Sequence, residues 1–252
     1  MLIGCGDYLP LVSLMDRYIT PDFAAVALIV IDMQRDFLDG QPAGVPGTAA
    51  VVPPIVRLLQ AFRAAERPIV HVVRIYLADG SNVDLCRRAA VEGGACWVLA
   101  GSPGCEIVPE LLPDRFSRLE TERLLSGQVQ YLWPREVVIY KPRWGAFYRT
   151  PLEEYLRRAR VSTLAICGCN FPNCPRATLY EASERDFRLV LVEDAVSGLY
   201  EQAKQELRAI GVSILSSAEI IARLQSSGAG PEPIPAERVE GGEASDERSG
   251  SQ

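Results

Sequence analysis

Eight consecutive apolar residues, Ala24-Ala-Val-Ala-Leu-Ile-Val-Ile31, run without a polar interruption into Asp32. A half-exposed strand would alternate polar and apolar positions, and a run this short does not span a bilayer. Unbroken aliphatic and β-branched residues suit a strand covered on both faces, as in a parallel sheet. Similar strand patterns recur at Pro68–Arg74, Glu136–Tyr140, Leu164–Gly168, Phe187–Ala195 and Val212–Leu215. Helical spacing falls between them, in Pro53–Phe62, Pro151–Ala159, 175–186, Tyr200–Ile210 and Ala218–Leu224. Strands alternating with helices at this spacing imply right-handed crossovers, hence an α/β fold: a three-layer α/β/α arrangement with a mainly parallel central sheet and helices on both faces.

The sequence divides into an N-terminal extension (1–23), one domain (24–225) and a tail (226–252). Leu9, Val12, Leu14, Met15 and Tyr18 give the extension a short amphipathic pattern ending at Pro21. The tail turns to Gly, Pro, Ser and Glu without apolar period, a composition that reads as disordered. Residues 77–135 form an irregular excursion, with a short helix expected at Val83–Val91 and a helical turn at Glu106–Leu111, on one rim of a pocket. The net charge of −6 offers no basic block to neutralise phosphates, so nucleic acid is not an expected partner. No run is long enough for a membrane span and the N-terminus lacks a basic leader, so a cytoplasmic protein is expected. Seven cysteines, an odd number with no C-x-x-C pair, fit a reducing compartment.

Three strand patterns end in residues able to do chemistry: Asp32, Lys141 and Cys174. Parallel strands place such ends on one edge of the sheet, where open α/β folds bind ligands. Pro175 suits a first helical position and puts Cys174 near the N-cap, where unpaired N–H groups and the helix dipole lower a thiol pKa. A buried, inert cysteine is the competing reading. Cys167, Cys169 and Cys174 also invite a zinc or redox role, although no fourth ligand lies nearby. The single histidine, His71, sits in a strand pattern and reads as a satisfied core imidazole.

At these residues the chain resembles the isochorismatase-like superfamily of cysteine hydrolases. The similarity runs through Leu28-Ile-Val-Ile-Asp-Met-Gln-Arg-Asp-Phe37, Lys141-Pro-Arg-Trp-Gly-Ala-Phe-Tyr-Arg-Thr-Pro-Leu152 and Gly168–Thr178, with Gly101–Glu110 and Val192–Val196 adding to it. The resemblance implies a catalytic triad of Asp32, Lys141 and Cys174. It also implies an oxyanion hole from the backbone N–H groups of Asn170 and Cys174, with a cis peptide between Cys169 and Asn170. The departures are Asn170-Phe-Pro-Asn173 before the cysteine and Pro175 after it. Relatives of the nicotinamidase type bind a metal through an Asp-x-His pair and a further histidine, which one histidine does not supply; true isochorismatases lack the cysteine. The expectation is therefore a cysteine amidohydrolase with no metal and no cofactor, cleaving a C–N bond of a small amide, ureido, carbamoyl or lactam substrate with water as co-substrate. A homo-oligomer is expected from the resemblance. Phe37, Trp144, Phe147 and Phe171 are candidates for the pocket wall, and Arg35, Arg74, Arg143 and Arg176 for an anionic substrate group. A non-catalytic ligand-binding protein and a thiol redox or metal sensor are the alternatives.

Overall fold

The computed structural model describes residues 16–227. The amphipathic pattern from Leu9 to Met15 and the tail from residue 228 onward lie outside the described residues. Seven strands form one sheet in the order β3-β4-β2-β1-β5-β6-β7. They are β1 (Val26–Ile31), β2 (Ile69–Val73), β3 (Gln130–Trp133), β4 (Glu136–Tyr140), β5 (Thr163–Gly168), β6 (Arg188–Val196) and β7 (Ser213–Leu215). Every pairing is parallel except that of β3 with β4. The helices are α1 (Val52–Ala64), α2 (Leu85–Glu92), α3 (Thr121–Leu125), α4 (Leu152–Arg158), α5 (Cys174–Ser183), α6 (Glu201–Ala209) and α7 (Ser217–Ser226).

All six residues of β1 are buried, because α1 and α7 cover one face of the sheet and α4, α5 and α6 the other. The alternation is visible in the two cores: Val26, Leu28 and Val30 pack with Leu58 and Ile220, while Ala27, Ile29 and Ile31 pack with Leu156 and Leu179. Burying both sets removes apolar surface worth about 25 cal/mol per Å2, which is why this strand carries no polar face. No helix among the described residues is long and apolar enough to cross a membrane.

The excursion departs from expectation in two ways. Its end holds β3, an antiparallel edge strand with Tyr131 and Trp133 turned to solvent. The turn foreseen at Glu106–Leu111 becomes two 3-10 segments, Pro103–Cys105 and Pro109–Leu111, and α3 is an added short helix. Helix α2 forms within two residues of the expected position, although it buries none of its residues.

Inside the sheet, Glu136 of β4 sits 1% exposed, held by Arg63 of α1 through two contacts of 2.7 Å and by His71 Nε2 of β2 at 2.7 Å. The single histidine is thus a buried strand residue bonded to a carboxylate, as its sequence setting implies. Desolvation would raise the Glu136 pKa, but hydrogen bonds from Arg63 and His71 outweigh it and hold the carboxyl down at about 2.

Candidate functional site

The chain leaves β1 through a left-handed residue: Asp32 has φ 51°, a region that Asp tolerates better than most side chains. Its N–H donates to the carbonyl of Val72 at 2.8 Å, so the turn stays locked to β2 while the carboxylate swings over the sheet edge. Alternate residues of the same segment tie it down. The Gln34 amide donates to the carbonyls of Arg74 (2.7 Å) and Cys105 (2.6 Å) and accepts from the N–H of Arg74 (2.8 Å). Asp36 accepts the N–H of Val98 at 2.7 Å. Val98 is itself left-handed (φ 40°), a conformation unfavourable for a β-branched residue. On the other side of β1, Gly168 ends β5 at φ +115°, and a Cβ there would lie 2.1 Å from the Ile31 carbonyl oxygen. Only glycine permits β1 and β5 to approach so closely at their ends.

Lys141 follows β4, its N–H bonded to the Val73 carbonyl at 3.0 Å. Its ammonium reaches Asp32 Oδ2 at 2.9 Å and Cys174 Sγ at 3.2 Å, with a weaker contact to the Arg143 carbonyl at 3.4 Å. All three side chains are buried, Lys141 fully. Asp32 Oδ1 has no hydrogen-bond partner among the described residues. An ion pair taken this far out of water carries a desolvation cost that its Coulombic attraction and further hydrogen bonds must offset, and the unpartnered Asp32 Oδ1 adds to that cost.

The thiol differs from its expected state. Helix α5 begins at Cys174 itself, with Asn173 as its cap, so Pro175 takes the second helical position, where a missing N–H is equally harmless. Burial and the negative charge of Asp32 push the Cys174 thiol up to about 12, against the pull of Lys141 and Arg74. Burial thus favours the protonated thiol, opposite in direction to the lowering expected at a helix N-terminus. Burial likewise pushes Cys105 up to about 12 and Cys169 up to about 11.

The loop between β5 and α5 leaves two backbone N–H groups, those of Asn170 and Cys174, without an acceptor among the described residues. Its other groups are occupied: Phe171 N–H donates to the Ser197 carbonyl at 2.7 Å, and the Asn173 amide donates to Asn170 Oδ1 at 3.1 Å. The peptide between Cys169 and Asn170 is trans, since no cis bond occurs among the described residues. The expected cis bond is thus corrected. The bonds of Cys169 N–H to the Ile31 carbonyl and Phe171 N–H to the Ser197 carbonyl hold the loop with a trans peptide.

A cavity of about 300 Å3 opens over Asp32, Cys169, Asn170 and Cys174. Of the four aromatic residues expected in its wall, only Phe37 lines it, beside Trp97, Ala43 and Val45. Phe171 is fully buried instead, edge-on to Tyr200 with ring centroids 5.8 Å apart. Phe147 packs against Phe187 at 5.8 Å, and Trp144 lies 4.8 Å beneath the Arg87 guanidinium. None of the four arginines expected to meet an anion lines the cavity. Arg176 pairs with Glu206 at 2.9 Å, and Arg74 is buried against Asp84 at 3.2 Å. Arg87, which the sequence reading passed over, does line it. The one local signal for Arg87 was Asp84 three residues earlier, an acid and base spaced to meet on a short helix. Trp97 had no such signal.

Of the three cysteines, Cys169 and Cys174 line the cavity and Cys167 does not. Cys167 and Cys169 belong to the packing layer of α1 and α7, whereas Cys174 belongs to the opposite layer. Among the described residues no group of three or more His, Cys, Asp or Glu side chains is placed to hold a metal ion.

The strand ends of a mainly parallel α/β sheet thus bring an acid, a lysine and a cysteine within hydrogen-bond range of one another's groups at one edge. The isochorismatase domain matches residues 26–124 and 120–219, and the chain belongs to the isochorismatase family. It is 30% identical over 174 residues to a protein of Arabidopsis thaliana described as a probable inactive nicotinamidase, covering 68% of this chain and 80% of that one. It is also 30% identical over 188 residues to the ureidoacrylate amidohydrolase RutB of Methylobacterium radiotolerans, covering 69% and 67%. Among solved structures, an isochorismatase family protein from Desulfovibrio vulgaris superimposes with a TM-score of 0.66 at 34% identity, covering 80% of this chain and 98% of that one.

Proposed function

We propose that this protein is a cysteine amidohydrolase that cleaves a C–N bond of a small amide, ureido or carbamoyl substrate, with Cys174 as nucleophile. The observation that carries this reading is the Lys141 ammonium, which bridges Asp32 Oδ2 at 2.9 Å and Cys174 Sγ at 3.2 Å beneath a cavity. Among the described residues Asp32 is the carboxylate paired with Lys141, and the ammonium's position between Asp32 and Cys174 balances the negative charge as it moves from carboxylate to sulfur.

The thiol proton passes to Asp32, whose unpartnered Oδ1 is the available acceptor. Sulfur attacks the carbonyl carbon, and the oxygen takes up the electron pair of the C=O bond. The unoccupied N–H groups of Asn170 and Cys174 are suited to that oxyanion, a contact type worth about 3 kcal/mol in the transition state. Collapse re-forms the C=O bond and breaks the C–N bond, and Asp32 returns the proton to the leaving nitrogen. Water then attacks the acyl or carbamoyl thioester, giving its proton to Asp32, and the thiol leaves with that proton. The raised thiol pKa fits a site in which a neighbouring base, Asp32, takes the proton. Every step uses side chains and backbone groups of this chain.

The relative described as probably inactive favours a second reading, in which the pocket binds a ligand without turnover. An ammonia-release assay over small amides and ureido acids separates the two. Turnover that falls at least 1,000-fold in Cys174→Ala, with an unchanged circular dichroism spectrum, supports the nucleophile. Full turnover in Cys174→Ala overturns it, and absence of turnover in the wild type across the panel favours the binding reading.

A further inference from the structure

Strand β2 lies between β1 and β4 and supplies none of the Asp32, Lys141 and Cys174 side chains, although its carbonyls hold the backbone of Asp32 and Lys141. Its end delivers Arg74, 1% exposed, directly beside the group. Arg74 shares the Arg143 carbonyl with Lys141 as a hydrogen-bond acceptor, so the two cations belong to one connected cluster. Beyond Arg74 lies Asp84, buried at 3% exposure. Asp84 meets Arg74 at 3.2 Å, Arg87 at 3.8 Å and Arg143 at 4.0 Å, and its Oδ2 accepts the Tyr76 hydroxyl at 2.6 Å. The cluster thus holds four cations, Lys141, Arg74, Arg87 and Arg143, against two carboxylates, Asp32 and Asp84. Its surplus is positive.

That surplus has one outlet into the cavity. Arg87 is the only cationic side chain among the described residues that line it. One face of its guanidinium lies 4.8 Å over the Trp144 ring, and Nη1 donates to the Tyr76 hydroxyl at 3.0 Å. Its Nε and Nη2 have no hydrogen-bond partner among the described residues. The fork is therefore fixed in direction by Trp144 and Tyr76 while retaining the donors that a planar anion engages side by side. Arg87 and Cys174 line the same cavity, whose apolar lining includes Phe37, Val45 and Trp97.

We propose that Arg87 binds a carboxylate of the substrate, so that the substrate class is a small amide or ureido acid, with its scissile carbonyl at Cys174 and its carboxylate at Arg87. This rests on the hydrolase reading for the identity of the scissile bond, but the anion site is independent of turnover. The cavity is small for a ligand site, which suits a substrate of this size. Asp84 acts as a positioning residue, through Arg87.

The test pairs N-carbamoylglycine and succinamate with their methyl esters. Wild-type enzyme is expected to favour each acid over its ester by at least about 10-fold in kcat/KM, since a charged hydrogen bond buried in a cavity is worth about 1.5–3 kcal/mol. In Arg87→Gln that ratio falls toward one, chiefly through a KM for the acid raised about 10- to 100-fold. Arg87→Lys retains part of the preference. In parallel, calorimetry on Cys174→Ala measures binding of the same acids and esters, with and without Arg87→Gln. Hydrolysis without acid preference, or an equal loss on acid and ester in Arg87→Gln, overturns the anion site while leaving the hydrolase reading standing. Acid-selective binding that depends on Arg87, without any wild-type turnover, supports the anion site and overturns the hydrolase reading. Neither turnover nor acid-selective binding overturns both.

Discussion

Lys141 has no exposure to solvent, and its carboxylate partner Asp32 is 3% exposed. Removing one member of such a pair leaves the other charged, buried and unpaired. Asp32→Asn is therefore expected to lower stability by about 3–5 kcal/mol as well as to abolish turnover. Asp32→Asn combined with Lys141→Met removes both charges and is expected to recover most of that stability while activity stays absent. Chemical denaturation of the wild type, the two single variants and the double variant measures the coupling; additive losses would show that the pair is not coupled. Glu136 behaves differently because its role is structural. Its folded pKa of about 2 lies below its ordinary 4.5, so its contribution to stability is complete above about pH 4.5 and is lost as the pH falls toward 2. Integrated over that difference the contribution is about 3 kcal/mol. Urea midpoints taken from pH 5 to pH 2.5 should fall in the wild type and fall less steeply in Glu136→Gln.

At the scale of elements, the site depends on how the ends of β1 and β5 meet. Gly168→Ala would place a methyl group 2.1 Å from the Ile31 carbonyl oxygen, at a φ of +115° that an L side chain rarely adopts. The expected result is a loss of several kcal/mol, visible as a Tm lowered by 10 °C or more, because backbone rather than a flexible side chain must move. A Tm unchanged within 2 °C would mean that the two strand ends have room to spread. The same logic shows why the cavity wall was hard to read from sequence. Trp97 is placed by its neighbour Val98, which is held in a left-handed conformation by Asp36, sixty-two residues earlier in the chain. Gly104 is needed beside that same carboxylate, since a Cβ there would lie 1.9 Å from Asp36 Oδ1. No local periodicity encodes such a contact.

Across the whole molecule, the parallel sheet was legible because a strand buried on both faces leaves an unmistakable apolar run, as in Val26–Ile31 and Thr163–Gly168. Asp32, Lys141 and Cys174 were legible for the same reason, being the first reactive side chains beyond such runs or just after the next turn. Strand β3 was missed because an exposed four-residue edge strand carries no such pattern, with Tyr131 and Trp133 outward. Phe147 and Phe171 were misplaced because a bulky aromatic residue near a strand end packs into the helix layer as readily as into a cavity. Strand order also decides which residue types the site is able to use. Asp32 and the Cys174 loop leave adjacent strands, whereas Lys141 starts two strands from Asp32, a lateral gap of about 9–10 Å. An acid and a thiol reach their meeting point with short stems. From the more distant strand, only a long unbranched stem ending in a compact charge does so, and lysine acts there as the span of a bridge whose width the sheet has set.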